Sequence, residues 1–161
     1  MVNIFLMDSL RFALEVNKID VKDYVPAYNG ESAGLDLFNA GNRVTISPQA
    51  VVPKNNKLLI GTGLKMRVPK GYVALIQERG SITKTPLKVR AGVIDSGYTG
   101  EIFVNLINTG YEEYTLDSNT KLPVQIVVLK CDNEFNVVNE EEYNNTTISS
   151  QRKEGKVGSS D

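Results

Sequence analysis

The sequence predicts an all-β domain, either a sandwich or a barrel, on two observations. Apolar residues show little of the periodicity of a helix, and short runs rich in Val, Ile, Leu and Tyr recur instead. These runs follow one another at roughly 8 to 12 residues and are separated by Gly, Pro and Asn, which is typical of sandwiches and barrels. In chain order the predicted strands are RFALEV, AVVP, KLLIGTGLKMRV, GYVALIQ, EIFVNLIN and VQIVVLKC.

The run EIFVNLIN, residues 101–108, indicates how such a strand is buried. Successive side chains of a strand point to opposite faces, so Ile102, Val104 and Leu106 share one face. Two of the three residues between and after them are also apolar. Both faces of this strand are therefore expected to be partly covered.

The stretch AGVIDSGYTGEI, residues 91–102, places Gly92, Gly97 and Gly100 in a strand-like neighbourhood. Glycine permits positive φ and lets another group approach the main chain closely. Two interpretations stay open on these residues alone. The glycines either satisfy the geometry of a tight hairpin, or they let a hairpin present backbone N–H and C=O groups to the flat edge of a ligand.

Composition bounds the size of the protein and its partners. A chain of 161 residues, 41% of them apolar, is long enough for one core and predicts a single domain with tails. With 18 basic and 19 acidic residues the formal charge is −1, so no overall cationic field attracts a nucleic-acid polymer. A small anionic ligand needs only a few well-placed cations and stays compatible with this balance.

The chain has one cysteine, Cys131, and no histidine. This removes internal disulfides, Cys/His zinc sites and nucleophiles activated by histidine. Chemistry is left to carboxylates, hydroxyls, Lys, Arg, backbone amides or a hard metal ion, and a cation held by phosphate and carboxylate oxygens fits best. The opening VNIFLM is apolar over too short a run for a membrane span and lacks a basic leader, so a cytoplasmic location is expected.

Residues 1–138 are predicted to form the β domain. After Val138 the sequence NEEEYNNTTISSQRKEGKVGSSD is polar, with almost no apolar residue to anchor it. Residues 139–161 are therefore expected to be a flexible linker and C-terminal arm.

Five segments carry a resemblance to a known family: SAGLDLFNA, QERGSITKTPL, AGVIDSGYTGEI, KLPVQIVV and QRKEGKVGSSD. In this order and at similar spacing they resemble the five motifs of the trimeric dUTPases, which hydrolyse dUTP to dUMP and pyrophosphate. The most specific is AGVIDSGYTGEI, since Gly-Val-Ile-Asp followed three residues later by Tyr-x-Gly is uncommon outside this family and its dCTP deaminase relatives. The resemblance runs from about VPAYNGESAGLDL to the C-terminus. It implies a jelly-roll-like (β-clip) barrel, assembled as a homotrimer in which a site forms between two subunits and the arm comes from the third.

The resemblance implies roles for the residues of AGVIDSGYTGEI. A triphosphate repels nucleophiles, so an enzyme must neutralise charge and hold a water in line with phosphorus. Asp95, as a carboxylate ionised at neutral pH, would orient and activate the water that attacks the α-phosphorus. Tyr98 would lie against the deoxyribose and leave no room for a 2′-hydroxyl. Backbone groups around Ala91, Gly92 and Ile94 would pair with the uracil edge in a closed hairpin.

Phosphate contacts are implied for two further segments. Arg79 would bind phosphate through charge-assisted hydrogen bonds and Ser81 through its hydroxyl. The family has Arg-Ser-Gly or Arg-Ser-Ser here, whereas this chain places Gly80 between Arg79 and Ser81, so Gly80 would contribute a backbone N–H. Gln125 would hydrogen-bond the α-phosphate region, in a register that Pro123 leaves open by one residue.

Asp36 is implied to hold waters of a Mg²⁺ ion bound across the triphosphate, since Mg²⁺ keeps several of its waters. In the arm, Arg152 would reach the γ-phosphate, and Gly158 and Ser159 would offer amides and a hydroxyl. Val157 stands where the family has a Phe that stacks on uracil. Because base–aromatic stacking contributes about 1–3 kcal/mol, the arm is expected to order less firmly here.

Structural roles are the alternatives at each of these positions. Asp95 and Asp36 can close turns, Tyr98 can pack across strands, the Arg79 segment can be a surface turn, Gln125 can occupy an exposed strand face, and the tail can be a basic unstructured terminus.

Three functions are compatible with the resemblance. The first is a Mg²⁺-dependent dUTP pyrophosphatase, with dUTP and dUMP as its ligands, acting in the cytoplasm of a cell or, for a virus, of its host. The second is a dCTP deaminase-like enzyme of the same fold. The third is a nucleotide-binding module that has lost turnover, which the Gly80 and Val157 departures keep open.

Overall fold

The structure, a computed structural model, describes residues 3–6, 24, 28, 31–48, 59–132 and 134–145. The predicted strands RFALEV and AVVP lie outside these residues. Among the described residues, no helix is long and apolar enough to span a membrane.

Ten strands and two short helices make up the described part of the chain. They are β1 (Asn3–Leu6), β2 (Gly34–Phe38), β3 (Val44–Ile46), β4 (Leu59–Arg67), β5 (Tyr72–Glu78), a 3-10 helix (Gly80–Lys84), β6 (Leu87–Val89), β7 (Val93–Ile94), β8 (Glu101–Asn108), β9 (Tyr114–Leu116), β10 (Lys121–Lys130) and α1 (Glu140–Asn144).

The strands form two four-stranded sheets and one pair. The first sheet has the order β1-β4-β8-β6, the second has the order β2-β10-β5-β7, and β3 pairs with β9. All of these pairings are antiparallel. Buried side chains of both four-stranded sheets pack into one core, including Ile60 and Val104 from the first and Leu37, Ala74 and Val124 from the second. The all-β prediction is confirmed.

Strands with clear apolar alternation were predicted closely. EIFVNLIN coincides with β8, and GYVALIQ and KLLIGTGLKMRV contain most of β5 and all of β4. In β8, Ile102, Val104 and Leu106 are buried, while Asn105 and Ile107 on the other face are half-buried. The expectation that both faces of this strand are partly covered is therefore confirmed.

The stretch AGVIDSGYTGEI is not a tight hairpin. Its first strand, β7, pairs with β5 through Val93 opposite Leu75 and Ile94 opposite Ala74. Its second strand, β8, pairs with β4 and β6 in the other sheet. Strand β7 therefore extends the second sheet, and its Ile94 side chain enters the core with Ala74. The chain then crosses to the first sheet.

A short helix follows the last strand, within the segment predicted to be a flexible linker. The Asn139 side chain accepts a hydrogen bond from the Glu142 N–H at 3.0 Å and so caps α1. Three glutamates occupy the first turn, where negative charge favours a helix N-terminus. None of its residues is buried. A domain boundary at residue 138 stays a prediction.

Candidate active site

Most of the predicted site residues that the structure describes fall into two groups. The first surrounds a cleft of about 260 Å³ that we call the glycine cleft, lined by Leu59, Ile76, Arg90, Ala91, Gly92, Val93, Ile94, Asp95, Tyr98, Glu101, Ile102, Phe103 and Asn105. The second is an ion-paired group that we call the Asp36 cluster, made of Asp36, Arg79, Lys121 and Gln125.

The floor of the glycine cleft is a turn of unusual backbone. Ala91 has φ 60° and Gly92 has φ 127°. A left-handed conformation costs a residue with a Cβ about 1–2 kcal/mol, so Ala91 needs support from its surroundings. The Gly92 carbonyl supplies it by accepting a hydrogen bond from the Ile76 N–H at 2.8 Å, which ties the turn to β5.

Glycine is required at position 92 for space as well as for φ. A Cβ there would lie 3.0 Å from the Ile76 carbonyl oxygen and 3.1 Å from the Ile76 Cβ. The turn can therefore approach β5 only without a side chain at this position. Since the Gly92 carbonyl already has a partner in Ile76, the base contacts expected of this turn depend more on its other backbone groups.

Asp95 follows β7 directly, and its exposed side chain lines the cleft. The Tyr98 N–H donates to the Asp95 carbonyl oxygen at 3.1 Å and closes a turn between the two residues. The two side chains that carry the predicted chemistry and sugar contact are thus held on one turn.

The Tyr98 ring is fixed by two contacts. Its hydroxyl donates to the Glu101 carbonyl oxygen at 2.6 Å. The ring also lies over Gly100, where a Cβ would come within 2.5 Å of the hydroxyl oxygen. With 42% of its surface exposed, Tyr98 presents a ring to the cleft and is not a cross-strand residue.

Asp36 is buried within strand β2, with 9% of its surface exposed, and does not close a turn. Its Oδ1 lies 2.6 Å from Arg79 Nε, and its Oδ2 lies 3.1 Å from Lys121 Nζ. Arg79 also donates to the Leu122 carbonyl oxygen at 3.3 Å. A buried carboxylate requires such partners, because desolvation of an unpaired charge is costly.

Gln125 lies on β10 directly opposite Asp36 on one side and Gln77 on the other. Its Nε2 donates to the Glu78 carbonyl oxygen at 3.4 Å. Gly34 makes room for this side chain, since a Cβ there would lie 2.6 Å from Gln125 Oε1. The half-buried Gln125 is thus not on an exposed strand face.

The strand pairing is irregular around the proline, and the match of Gln125 to the family motif stays a prediction. The pairing of β10 with β2 shifts between Lys121 and Gln125, around Pro123. Pro lacks an N–H for the ladder and is accommodated at bulges and edges.

Gly80 and Ser81 begin the 3-10 helix, and both are exposed. Arg79 precedes this helix in extended conformation, and its N–H donates to the Pro123 carbonyl oxygen at 3.0 Å. Ile82 anchors the helix in the core. The first N–H groups of a helix have no partner within it, so Gly80 and Ser81 offer backbone donors at the surface.

The glycine cleft and the Asp36 cluster lie apart within one chain. β7 and β2 are the two edges of the same sheet, with β5 and β10 between them. At the usual strand spacing, about 14 Å separates these edges. No cluster residue lines the cleft. Asp95 and Asp36 therefore lie at opposite edges of this sheet.

The described residues contain no group of three or more acidic, Cys or His side chains able to hold a metal ion. Both Asp36 oxygens already accept from cations, but a carboxylate oxygen has lone pairs for a further donor. Asp36 thus fits a contact to a cation through water and does not fit a direct ligand set. The predicted arm residues Arg152, Val157, Gly158 and Ser159 lie outside the described residues.

Several residues of the cleft were not predicted. Leu59 and Phe103 are apolar side chains left exposed on β4 and β8, and an exposed apolar position on a strand is the signal that could have identified them. Arg90 is exposed beside the Ala91 turn. Glu101 gave no signal, because a Glu at the start of a strand is ordinary.

Comparison with known proteins places these features in a family. Residues 21–161 match the dUTPase family model. The deoxyuridine 5'-triphosphate nucleotidohydrolase of Escherichia phage T5 is 37% identical over 149 residues, covering 89% of this chain and 95% of the relative. That of Burkholderia cenocepacia is 30% identical over 155 residues, covering 93% and 97%.

Solved structures show the same fold. The Staphylococcus bacteriophage 80alpha dUTPase with dUpNHpp superposes with a TM-score of 0.73 at 21% identity, covering 99% of this chain and 97% of the other. A variant dUTPase from phage phi11 of S. aureus, whose structure reveals the coordination of a structural Mg(II) ion, gives 0.64 at 23% identity, covering 88% and 99%. By its motifs, its jelly-roll fold and its curated relatives, the chain belongs to the dUTPase family.

Proposed function

We propose that this protein is a dUTP pyrophosphatase that hydrolyses dUTP to dUMP and pyrophosphate. The observation that carries the proposal is the Asp95–Tyr98 turn, which holds an exposed carboxylate and a fixed tyrosine ring beside the backbone turn of Ala91 and Gly92. Family membership and the curated relatives support the same substrate. The reaction prevents uracil incorporation into DNA and supplies dUMP, in the cytoplasm of a cell or of a host cell.

The glycine cleft would hold the deoxyuridine part of the substrate. Its volume of about 260 Å³ is at the small end for ligand pockets, which favours a nucleoside over a whole triphosphate. Backbone groups of the Ala91–Ile94 segment would pair with the base edge. The Tyr98 ring, held from two sides, would occupy the space that a 2′-hydroxyl needs.

Asp95 would act as the general base. Its carboxylate accepts a proton from a water molecule, whose oxygen then forms a bond to the α-phosphorus. The bond between the α-phosphorus and the oxygen bridging to the β-phosphate breaks, and pyrophosphate leaves. General-base assistance of this kind contributes typically about 10²–10⁴-fold in rate.

The Asp36 cluster would bind the phosphates. Arg79 and Lys121 each carry one positive charge and Asp36 carries one negative charge, so the cluster retains a net charge of +1. Gly80 and Ser81 would add donors at the start of the 3-10 helix. A Mg²⁺ ion on the triphosphate would neutralise phosphate charge, with Asp36 contacting it through water. The arm, with Arg152, Val157, Gly158 and Ser159, would close over the nucleotide.

The distance between the cleft and the cluster supports assembly as a homotrimer. Within one chain no cluster residue lines the cleft, and Asp36 and Asp95 lie at opposite edges of a sheet, so a complete site would combine the cleft of one subunit with the cluster of another. A cyclic arrangement provides that contact identically for every copy. Exposed apolar side chains such as Val93, which is 68% exposed, are available to an interface.

One assay tests the proposal. The purified protein is incubated with dUTP, dCTP or UTP in the presence of Mg²⁺, and pyrophosphate and ammonia are measured. Pyrophosphate from dUTP alone is the expected result. Release of ammonia from dCTP would replace the proposal with a deaminase, and nucleotide binding without product would replace it with a binding module.

A further inference from the structure

Glu101 stands at a β-bulge between β4 and β8. Gly61 pairs with Phe103 and Lys65 pairs with Glu101, so three residues of β4 lie opposite Ile102 alone. Side chains satisfy N–H groups of this bulge. The Gly63 N–H donates to Glu101 Oε1 at 3.0 Å, and the Leu64 N–H donates to the Thr62 hydroxyl at 3.3 Å.

The bulge has the glycines that this contact requires. A Cβ at Gly61 would lie 2.8 Å from Glu101 Oε1, and Gly63 has φ 69°. The two glycines of the sequence GTG therefore admit the Glu101 carboxylate. Gly61 leaves space for it, and the positive φ of Gly63 turns the Gly63 N–H toward it. These contacts hold the Glu101 side chain, at the start of β8, against β4.

The backbone of Glu101 continues this connection into the glycine cleft. Its carbonyl oxygen accepts the Tyr98 hydroxyl at 2.6 Å, and the Tyr98 N–H donates to Asp95 at 3.1 Å. A chain of contacts thus runs from the β4 bulge through Glu101 to Tyr98 and to the Asp95 turn. Through these contacts the side chain would restrain its own carbonyl, and the carbonyl would restrain the ring.

We propose that Glu101 is a positioning residue that sets sugar selectivity by holding Tyr98 against the 2′ position of the nucleotide. The inference rests on the proposed function and deepens it. Glu101 acts through Tyr98. Its carboxylate accepts a hydrogen bond from the Gly63 N–H, and this role does not need the negative charge of the carboxylate. This distinguishes it from a second general base or a metal contact, for which the charge itself would be essential.

The test compares Glu101→Ala with Glu101→Gln. For each variant, kcat/KM is measured for dUTP and for UTP, and Kd is measured by calorimetry for dUMP and for UMP. Glu101→Ala releases the anchor and is expected to lower the deoxy-to-ribo ratio about tenfold in both measurements, since small misplacements of a positioning group are costly. Glu101→Gln keeps an acceptor oxygen and is expected to restore the ratio to within about twofold of the unaltered protein.

Glu78→Ala is the matched control. Glu78 Oε1 also accepts a backbone N–H from another strand, that of Val89 at 3.3 Å, but Glu78 does not line the cleft. Its loss is expected to lower stability and leave the deoxy-to-ribo ratio unchanged. Any effect of Glu78→Ala on phosphate binding should be equal for the deoxy and ribo nucleotides, because the two nucleotides carry the same phosphates.

A double-mutant cycle adds a second test. Tyr98→Phe removes the hydroxyl that the Glu101 carbonyl accepts. If Glu101 acts through this ring, Glu101→Ala changes the ratio less in the Tyr98→Phe background than alone. Fully additive effects would contradict the proposed connection.

Three further outcomes would overturn the inference. An unchanged ratio in Glu101→Ala would show that Glu101 only supports the fold, and a fall in Glu101→Gln as large as in Glu101→Ala would assign the carboxylate a role that needs its charge. A fall in Glu78→Ala would show that the ratio reports stability. Failure of the proposed function is separate, because it appears as no dUTP turnover by the unaltered protein, while the Kd ratio is measured without turnover.

Discussion

The glycine cleft and the Asp36 cluster are built in different ways. Most of the cleft comes from one continuous stretch, residues 90–105, and backbone turns and glycines shape it. The cluster comes from β2, β10 and the residue that follows β5, and ion pairs between side chains hold it together. The cleft presents an exposed carboxylate, whereas the carboxylate of the cluster is buried and paired.

This difference indicates how each region meets a nucleotide. In the proposed function the cleft would recognise shape and a base edge, which requires its backbone to be in place before the ligand arrives. The cluster holds cations that Asp36 pairs with, so a phosphate bound there would share Arg79 with an internal partner. Substitutions in the cleft should therefore affect chemistry and sugar or base selection, while substitutions in the cluster should affect phosphate affinity.

Asp95→Asn is expected to have the largest effect. Removing the general base should lower kcat about 10³-fold, while nucleotide affinity stays within about tenfold, because the base assists the transition state more than the ground state. Steady-state kinetics and calorimetry with dUTP measure the two quantities. Near-normal turnover would remove Asp95 from the mechanism.

Mixing two impaired variants, assayed at dUTP concentrations well below the KM of Arg79→Ala, tests whether the two regions act from different subunits. Asp95→Asn keeps an intact cluster and Arg79→Ala keeps an intact cleft. If a site combines regions of two subunits, co-expressed mixed assemblies should regain roughly a quarter of the wild-type sites, the product of two halves on random mixing. Activity no greater than the mean of the separate variants would place both regions in one subunit's site.

Arg79→Ala should have a smaller effect on catalysis, exerted through phosphate binding, and should also lower stability because the buried Asp36 loses one of its two cationic partners. Loss of a charge-assisted hydrogen bond contributes about 1.5–3 kcal/mol, so KM for dUTP should rise about 10- to 100-fold. Affinity for deoxyuridine, which lacks phosphate, should change less than about threefold, since Arg79 does not line the cleft.

Arg43→Ala is the control for that experiment. Arg43 pairs with Asp117 at 3.2 Å, but both side chains are mostly exposed, at 70% and 67%. Exposed pairs contribute about 0–1 kcal/mol, so this variant should keep its KM and stability. An equal rise in KM would show that general charge, and not the cluster, attracts the nucleotide.

Gly92→Ala is expected to have the smallest effect of these substitutions, because it acts on the cleft by lowering the stability of the protein. The positive φ and the 3.0 Å approach to the Ile76 carbonyl oxygen predict a loss of about 1–3 kcal/mol in the free energy of unfolding. Chemical denaturation measures it. Gly97→Ala, with no atom within 4 Å of its added Cβ, should be nearly neutral. Equal losses would mean that Gly92 is not specially constrained.

Some of the site could be predicted from the sequence because its residues are close along the chain. Asp95 and Tyr98 share a turn, and the motif that contains them is continuous. Strand pairing could not be predicted in the same way: β7 joins β5, although β8 follows it in the chain. The alternation of apolar residues predicts which face of a strand is buried, and it carries little information about which strand lies beside it.

Sequence by itself determined the all-β class, the positions of β4, β5 and β8, and the motifs that indicate the dUTPase family, because alternation and local spacing are properties of contiguous residues. Only the tertiary structure decided that Asp36 is held between Arg79 and Lys121, that Gln125 lies opposite it, and that Glu101 reaches Gly63. These contacts join residues tens of positions apart. They depend on how the sheets pair and bulge, which is set by packing of the whole core.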